Sequence, residues 1–321
     1  MYCEYSYIMD NIDIKIPQKK IRHLSFSGGC TWGFNAFGII CHAIKVGFLC
    51  MEDIQTIYAT SIGVMASVLL ILKIDIDIIR NYIIKRPWGN SISITINSII
   101  DSYQKKGICD KKIFEDLFFP LLKSLDLSTD ITLQQFYDYT GVELHIFTTE
   151  INKFELIDLS YKTHPEWVLI NAIYVSCSIP NVFIPLFIED KCFLDGGILL
   201  NDPIYKCIEN CINCGYNTDE ILSVSMIRGN DDNIMNATCD ESINTNIFDF
   251  NRILIQKILY VIQNDNEKPP ILYEIKTVCN TNNIDDFMLI INSAEIREKL
   301  IIEGSEMMDE WIKNGCVTKC C

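Results

Sequence analysis

Histidine is scarce in this chain of 321 residues: His23, His42, His145 and His164 are the four, and none follows position 164. A Ser–acid–His triad with its histidine near the end of the chain is therefore excluded. Basic residues are also short, with 27 Lys and Arg against 42 Asp and Glu, a net charge of −15 and a pI of about 4.7. A phosphate backbone demands a basic face, so no nucleic-acid partner is expected. Steady electrostatic attraction to an anionic membrane is not expected either, which leaves transient contact through apolar side chains. Long apolar runs are missing: the longest, Ile62 to Leu72, is too short to span a bilayer. Met1 to Lys20 carries acidic and polar residues and no apolar segment of the signal-peptide kind. The chain thus reads as cytoplasmic, and its 15 cysteines as reduced thiols. Cys207, Cys211 and Cys214 fall on one helical face, but no second C-x-x-C completes a zinc site, so they read as small buried side chains. No run of closely spaced carboxylates resembles a calcium loop, and no metal or cofactor is expected.

Hydrophobic residues make up 49% of the chain, enough for a sizeable core. Strand patterns are predicted at Ile21–Phe26, Thr56–Ala59, Glu143–Thr148, Phe154–Asp158, Phe183–Ile188, Lys191–Leu194, Ile221–Ile227 and Tyr273–Cys279. Helical patterns are predicted at Phe34–Phe48, Ile62–Leu72, Ile76–Lys85, Ser91–Gln104, Lys111–Ser124, Pro165–Cys177, Pro203–Cys214, Ile247–Asn264 and Ala294–Asn314. The alternation argues an α/β fold with a mainly parallel central sheet flanked by helices. Arg228 to Asn246 is rich in Asn and Asp and reads as a loop at the edge of the core.

Three short segments carry chemistry. In Thr56-Ile57-Tyr58-Ala59-Thr60-Ser61-Ile62-Gly63 an apolar run reaches a serine flanked by Ala59 and Gly63, and a helix-like run follows. Such a strand–turn–helix is sharp enough that larger neighbours would clash, and it projects the serine hydroxyl at a helix N-terminus. Upstream, Ser27-Gly28-Gly29-Cys30-Thr31-Trp32-Gly33 joins a strand to a helix. Consecutive amides in a glycine turn can form an anion nest, for an oxyanion or a phosphate, and the same residues also suit a plain tight turn. Downstream, Asp195-Gly196-Gly197 ends a strand. A carboxylate there can take a proton from a serine, or can simply open an Asp-Gly turn. Ser61 with Asp195 needs no histidine, and His145 sits in the apolar run Val142 to Phe147 as a strand residue would.

The order of glycine turn, small-x-Ser-x-Gly and Asp-Gly-Gly resembles that of the patatin-like phospholipases. Further stretches are similar to that family: Gly107 to Leu122, Thr132 to Gly141 with Leu144 to Glu150, and Val175 to Pro185. The resemblance covers roughly Ile21 to Ile227 and implies a three-layer α/β/α fold. It implies Ser61 as nucleophile, Asp195 as the catalytic aspartate, and the amides of Gly28, Gly29 and Cys30 as the oxyanion hole. Ala59, Gly63, Gly33, Gly196 and Gly197 then support the turns. The implied activity is lipid acyl hydrolysis of glycerophospholipids, with acylglycerols next, through an acyl-enzyme and transient contact with a membrane surface. The alternatives are a degenerate relative that binds lipid or protein, a soluble esterase, or a transacylase. The expected organisation is an N-terminal extension (1–20), a catalytic core (21–228) and a mostly helical C-terminal region (229–321). An apolar surface beside Ser61 is expected from the Trp32–Phe34 turn, the Phe183–Phe187 segment or the insert near Phe118 and Phe119.

Overall fold

Successive residues of the inner strands are buried on both sides of the chain, so each strand needs cover on two faces. A computed structural model describes residues 20–29, 33–91, 95–228, 250, 253–255, 257–258, 271–279 and 284–315. The strands are β1 (His23–Phe26), β2 (Thr56–Thr60), β3 (Gly107–Cys109), β4 (Glu143–Glu150), β5 (Glu155–Leu159), β6 (Asn181–Phe183), β7 (Leu186–Ile188), β8 (Lys191–Asp195), β9 (Ile221–Arg228) and β10 (Tyr273–Cys279). The helices are α1 (Gly33–Lys45), α2 (Ile62–Ile71), α3 (Ile76–Lys85), α4 (Ile96–Lys105), α5 (Lys112–Ser124), α6 (Leu133–Thr140), α7 (Leu169–Ser176), α8 (Ile204–Asn213), α9 (Ile284–Asn292) and α10 (Ala294–Lys313).

The main sheet has eight strands in the order β10-β9-β1-β2-β4-β8-β7, with β5 also on β4. From β10 to β4 every pairing is parallel, whereas β5 and β8 run antiparallel to β4. The period-2 alternation sorts the side chains into two cores. Leu24, Phe26, Ile57, Ala59, Leu144, Ile146, Leu222 and Val224 join the larger cluster with α1, α2 and α7. Tyr58, Phe147 and Ile221 point the other way, against Ile204, Cys207, Ile208 and Cys211 of α8. Helices on both faces make this a three-layer α/β/α architecture.

One feature of the sheet positions the site. β5 pairs with Ile146–Glu150 along one edge of β4. The opposite edge is shared: β2 pairs with Glu143–Phe147 and β8 with Thr148–Glu150. The two strands therefore meet end to end, with Thr60 opposite Phe147 and Asp195 opposite Thr148. Ser61 follows the first strand end, and Asp195 is the second.

Several expected elements end or split at identifiable places. The predicted strand Phe183–Ile188 is two strands, because Pro185 has no amide to give a ladder and the Ile184 amide goes to the Cys109 carbonyl. β6 pairs with β3 in a separate two-stranded sheet, and β7 pairs with β8. The predicted Ser91–Gln104 helix begins at Ile96, after a short 3-10 turn at Trp88–Ser91. Helix α6 is additional to the expected set; a Thr132–Gln135 capping box starts it and Gly141, at φ 75°, ends it. Helix α9 is likewise additional. Met1–Lys19, the loop at 229–249 and most of the predicted Ile247–Asn264 helix lie outside the described residues. Among those described, no helix is long and apolar enough to cross a membrane.

The C-terminal helices are fastened by a buried cation. Arg297 of α10 is 2% exposed. Its guanidinium donates to the carbonyls of Ile84 and Arg86 at the end of α3, and to Ile290 and Ile291 at the end of α9. Helix C-termini carry partial negative charge and unpaired carbonyls, so they suit a cation without a carboxylate.

Candidate active site

Ser61 sits where β2 hands over to α2, at φ 54° and ψ −125°. A non-glycine residue held there is strained, and the surroundings must over-determine it. They do so through Ser176 at the end of α7: the Ser61 amide donates to Ser176 Oγ (2.9 Å), which donates to the Phe147 carbonyl (2.6 Å). Close packing adds to this. A Cβ on Gly63 would lie 2.8 Å from the Phe26 Cβ and carbonyl oxygen, so α2 can start against β1 only with glycine there. Ala59 is fully buried between its partners on β1 and β4.

Asp195 is held as tightly. Its amide donates to the Ser178 carbonyl (2.9 Å), and its own carbonyl accepts from Thr149 Oγ1 (3.0 Å). Carboxylate Oδ1 accepts the Gly197 amide (2.7 Å), and Oδ2 accepts the Ser61 hydroxyl (2.7 Å). Both Ser61 and Asp195 are 6% exposed. A hydroxyl donating to a carboxylate is a short, charge-assisted bond of the kind that can pass a proton. No acidic residue lies in the first turn of α2, so nothing there offsets the helix dipole at the serine.

The glycine turn lies alongside. A Cβ on Gly28 would stand 3.2 Å from the Ser61 Cβ and 2.6 Å from Asn201 Oδ1. The Gly28 amide is committed: it donates to the Asn201 carbonyl (2.8 Å), while Asn201 Nδ2 donates back to the Gly28 carbonyl (3.3 Å). Gly33 opens α1 against Ile62, and Gly196 begins a 3-10 turn beside Phe147 and Thr60. Cys30 and Trp32 lie outside the described residues.

The histidines are engaged elsewhere. His23 Nδ1 contacts Thr56 Oγ1 (2.8 Å), His42 pairs with Asp309 (2.8 Å) and His164 Nδ1 contacts Thr163 Oγ1 (2.9 Å). His145 lies flat on Tyr58, with ring centroids 4.3 Å apart, on the α8 side of the sheet. Its Nδ1 contacts Asp158 Oδ2 (2.8 Å) and its Nε2 lies 3.1 Å from Glu143 Oε1. Burial works against a charge here, but the two carboxylates outweigh it and raise the imidazole to about 9. Because this exceeds the unfolded value of about 6.5, the stabilisation is complete below that pH and is lost as pH rises through about 9. Urea titrations at pH 6 and pH 10 are expected to show wild type losing up to about 3 kcal/mol more than His145→Gln. Equal pH slopes for the two proteins would contradict the ion-paired imidazole.

A sequence model described as patatin-like phospholipase matches residues 24–208. The chain belongs to the patatin-like phospholipase family. It is 25% identical over 190 residues to an uncharacterized protein, R571, of Acanthamoeba polyphaga mimivirus, across 59% of this chain and 62% of that protein. It is 23% identical over 207 residues to a probable lipid hydrolase, 463L, of invertebrate iridescent virus 6, across 62% and 69%. The match to R571 thus spans less than two thirds of its length. Among solved structures it is similar to VipD from Legionella pneumophila, at TM-score 0.45 and 15% identity over 91% of this chain and 67% of that one. It is also similar to ExoU from Pseudomonas aeruginosa, at TM-score 0.42 and 10% identity over 92% and 53%.

Within the patatin-like core, the structure brings Ser61, Asp195, Gly28, Gly63, Gly196 and Gly197 together. Ser176 and Asn201 were missed as site residues, although Ser176 lies in the Val175–Pro185 stretch and Asn201 four residues after Asp195-Gly196-Gly197. Their signal is a small polar residue in an otherwise apolar or glycine-rich stretch, and its partner is invisible until the fold is known. Of the expected apolar surface, Phe118 and Phe183 are buried, Phe34, Phe119 and Leu186 are partly buried, Phe187 is exposed, and Trp32 lies outside the described residues. A cavity of about 260 Å³ opens under the β7–β8 hairpin, lined by Ile157, His164, Trp167, Lys191 and Phe193, and not at Ser61.

Proposed function

We propose that this patatin-like protein hydrolyses carboxylic esters of glycerophospholipids through a Ser61–Asp195 dyad. Family membership supports lipid hydrolysis in general. The single observation that carries the finer reading is the 2.7 Å hydrogen bond from the Ser61 hydroxyl to Asp195 at a strained elbow. Ser61 Oγ attacks the ester carbonyl and its proton passes to Asp195 Oδ2, while the Gly197 amide keeps the carboxyl group oriented. Charge developing on the carbonyl oxygen is taken by the glycine turn. The Gly28 amide is committed to Asn201 and Gly28 supplies the close approach to Ser61, so the donor role falls to the other two amides that the family resemblance assigns, those of Gly29 and Cys30. Collapse releases the lysophospholipid, which takes the proton from Asp195. A water then gives Asp195 a proton and attacks the acyl-serine, and Ser61 is regenerated with release of a fatty acid. The catalytic unit is proposed to span 21–228, with 229–321 packed on it. The Ser–His–Asp esterase reading is disfavoured by histidines held in other contacts.

Incubation with phosphatidylcholine vesicles is expected to yield free fatty acid and lysophospholipid in equal amounts, read by mass spectrometry. Intact lipid after prolonged incubation would overturn the proposal.

A further inference from the structure

β2 runs towards Ser61, and β4 continues past it through Thr148–Glu150 before turning at Ile151–Phe154 into β5. β8 runs the opposite way and ends on Asp195, so its beginning and the β7–β8 turn at Glu189–Asp190 lie ahead of the site. Two hairpin tips therefore project from the end of the sheet at which Ser61 stands. Each hairpin exposes one phenylalanine: Phe154 in the first turn is 53% exposed, and Phe187 in β7, two residues before the second turn, is 55%. Phe187 faces Cys192, three residues before Asp195, which is about 10 Å along the strand.

The tips are braced against each other. The Ile151 amide donates to the Cys192 carbonyl (2.9 Å), the Cys192 amide to Asn152 Oδ1 (3.0 Å), and Asn152 Nδ2 to the Asp190 carbonyl (3.4 Å). Glu150 accepts the Asn152 and Lys153 amides and closes the first turn. Lys106 brings a third element to the rim, with its Nζ 5.7 Å from the centroid of the Phe187 ring. Three and six residues before it, α4 presents Tyr103 (92% exposed) and Ile100 (66%). Exposed charge on the two turns and the end of α4 balances: Lys105, Lys106, Lys153 and Lys191 stand against Asp101, Glu155, Glu189 and Asp190, in a chain of net charge −15. A neutral rim with aromatic tips on an acidic protein fits a zwitterionic surface and not an anionic one.

We propose that the Phe154 and Phe187 hairpin tips, with Ile100 and Tyr103 of α4, dock the protein on a zwitterionic phospholipid surface and so deliver lipid to Ser61. The proposal rests on the reading of the site as a lipid hydrolase, but binding can be measured without turnover. In a Ser61→Ala background the full-length chain is expected to co-sediment with phosphatidylcholine vesicles equally at low and high salt. Adding Phe154→Ser and Phe187→Ser should weaken this about tenfold or more, whereas Phe154→Leu with Phe187→Leu should retain it. Both residues are exposed, so all forms should unfold at similar temperatures. Vesicle binding by the double serine variant equal to its parent, no binding by the parent, or binding only to phosphatidylserine vesicles with loss in salt would each overturn the proposal. Rim-dependent binding together with no lipid hydrolysis by wild type would sink the hydrolase reading alone.

Discussion

Ser61→Ala is expected to reduce ester hydrolysis by about a thousandfold or more, to the background rate. The substitution removes one oxygen and the covalent route with it. Everything that shapes the elbow remains: the Ser61 amide bond to Ser176, the Gly63 contact with β1, and the seat of α2 on the sheet. The thermal midpoint should therefore move little, apart from the loss of one buried hydrogen bond to Asp195. The check is initial velocity on a soluble monomeric ester beside a melting curve for each protein. A folded Ser61→Ala enzyme that keeps a tenth of wild-type velocity would place the nucleophile elsewhere.

Asp195→Asn should cost about 10² to 10⁴ in kcat, the usual weight of a general base. The amide is nearly isosteric, and its oxygen can still accept from the Gly197 amide. Its nitrogen then faces Ser61 Oγ as a donor, so the hydroxyl loses its proton acceptor while the turn keeps its shape. Exposed or ion-paired histidines should matter far less. His164→Gln is expected within about threefold of wild type, because His164 contacts Thr163 at the surface of another cavity. His145→Gln should likewise spare turnover at neutral pH, since its partners are Asp158, Glu143 and Tyr58. A histidine variant as inactive as Asp195→Asn would replace the dyad with a triad.

The fold was legible where periodicity was unambiguous. Thr56 to Ile71 reads as strand, serine and helix because small residues flank Ser61 and the apolar run changes period across it. Tyr273–Cys279 is a strand as its β-branched and aromatic residues predict. The break at Ile184–Pro185 was less legible, since only tertiary pairing reveals that two strands there serve different sheets. Helix α6 carried its own signals, a capping box and a terminal glycine, within a segment taken only as part of the family resemblance. In the candidate site, the pairing of Ser61 with Asp195 was inferred from motif order and the shortage of histidines. Its physical cause, two strands meeting end to end along one edge of β4, has no trace in local sequence. The commitment of the Gly28 amide is equally non-local, because its acceptor lies at Asn201. Phe118 looked like a surface residue in an insert, yet α5 turns that face into the core.

Whether Ser61 is a nucleophile activated by Asp195 is tested most directly by a serine-directed fluorophosphonate probe. Attack by Ser61 Oγ on phosphorus expels fluoride and leaves one stable adduct per chain, which peptide mass spectrometry can locate. A single adduct is expected on Ser61, absent from Ser61→Ala and formed about a hundredfold or more slowly in Asp195→Asn. No adduct on the folded wild-type protein, or an adduct on a different residue, would contradict it.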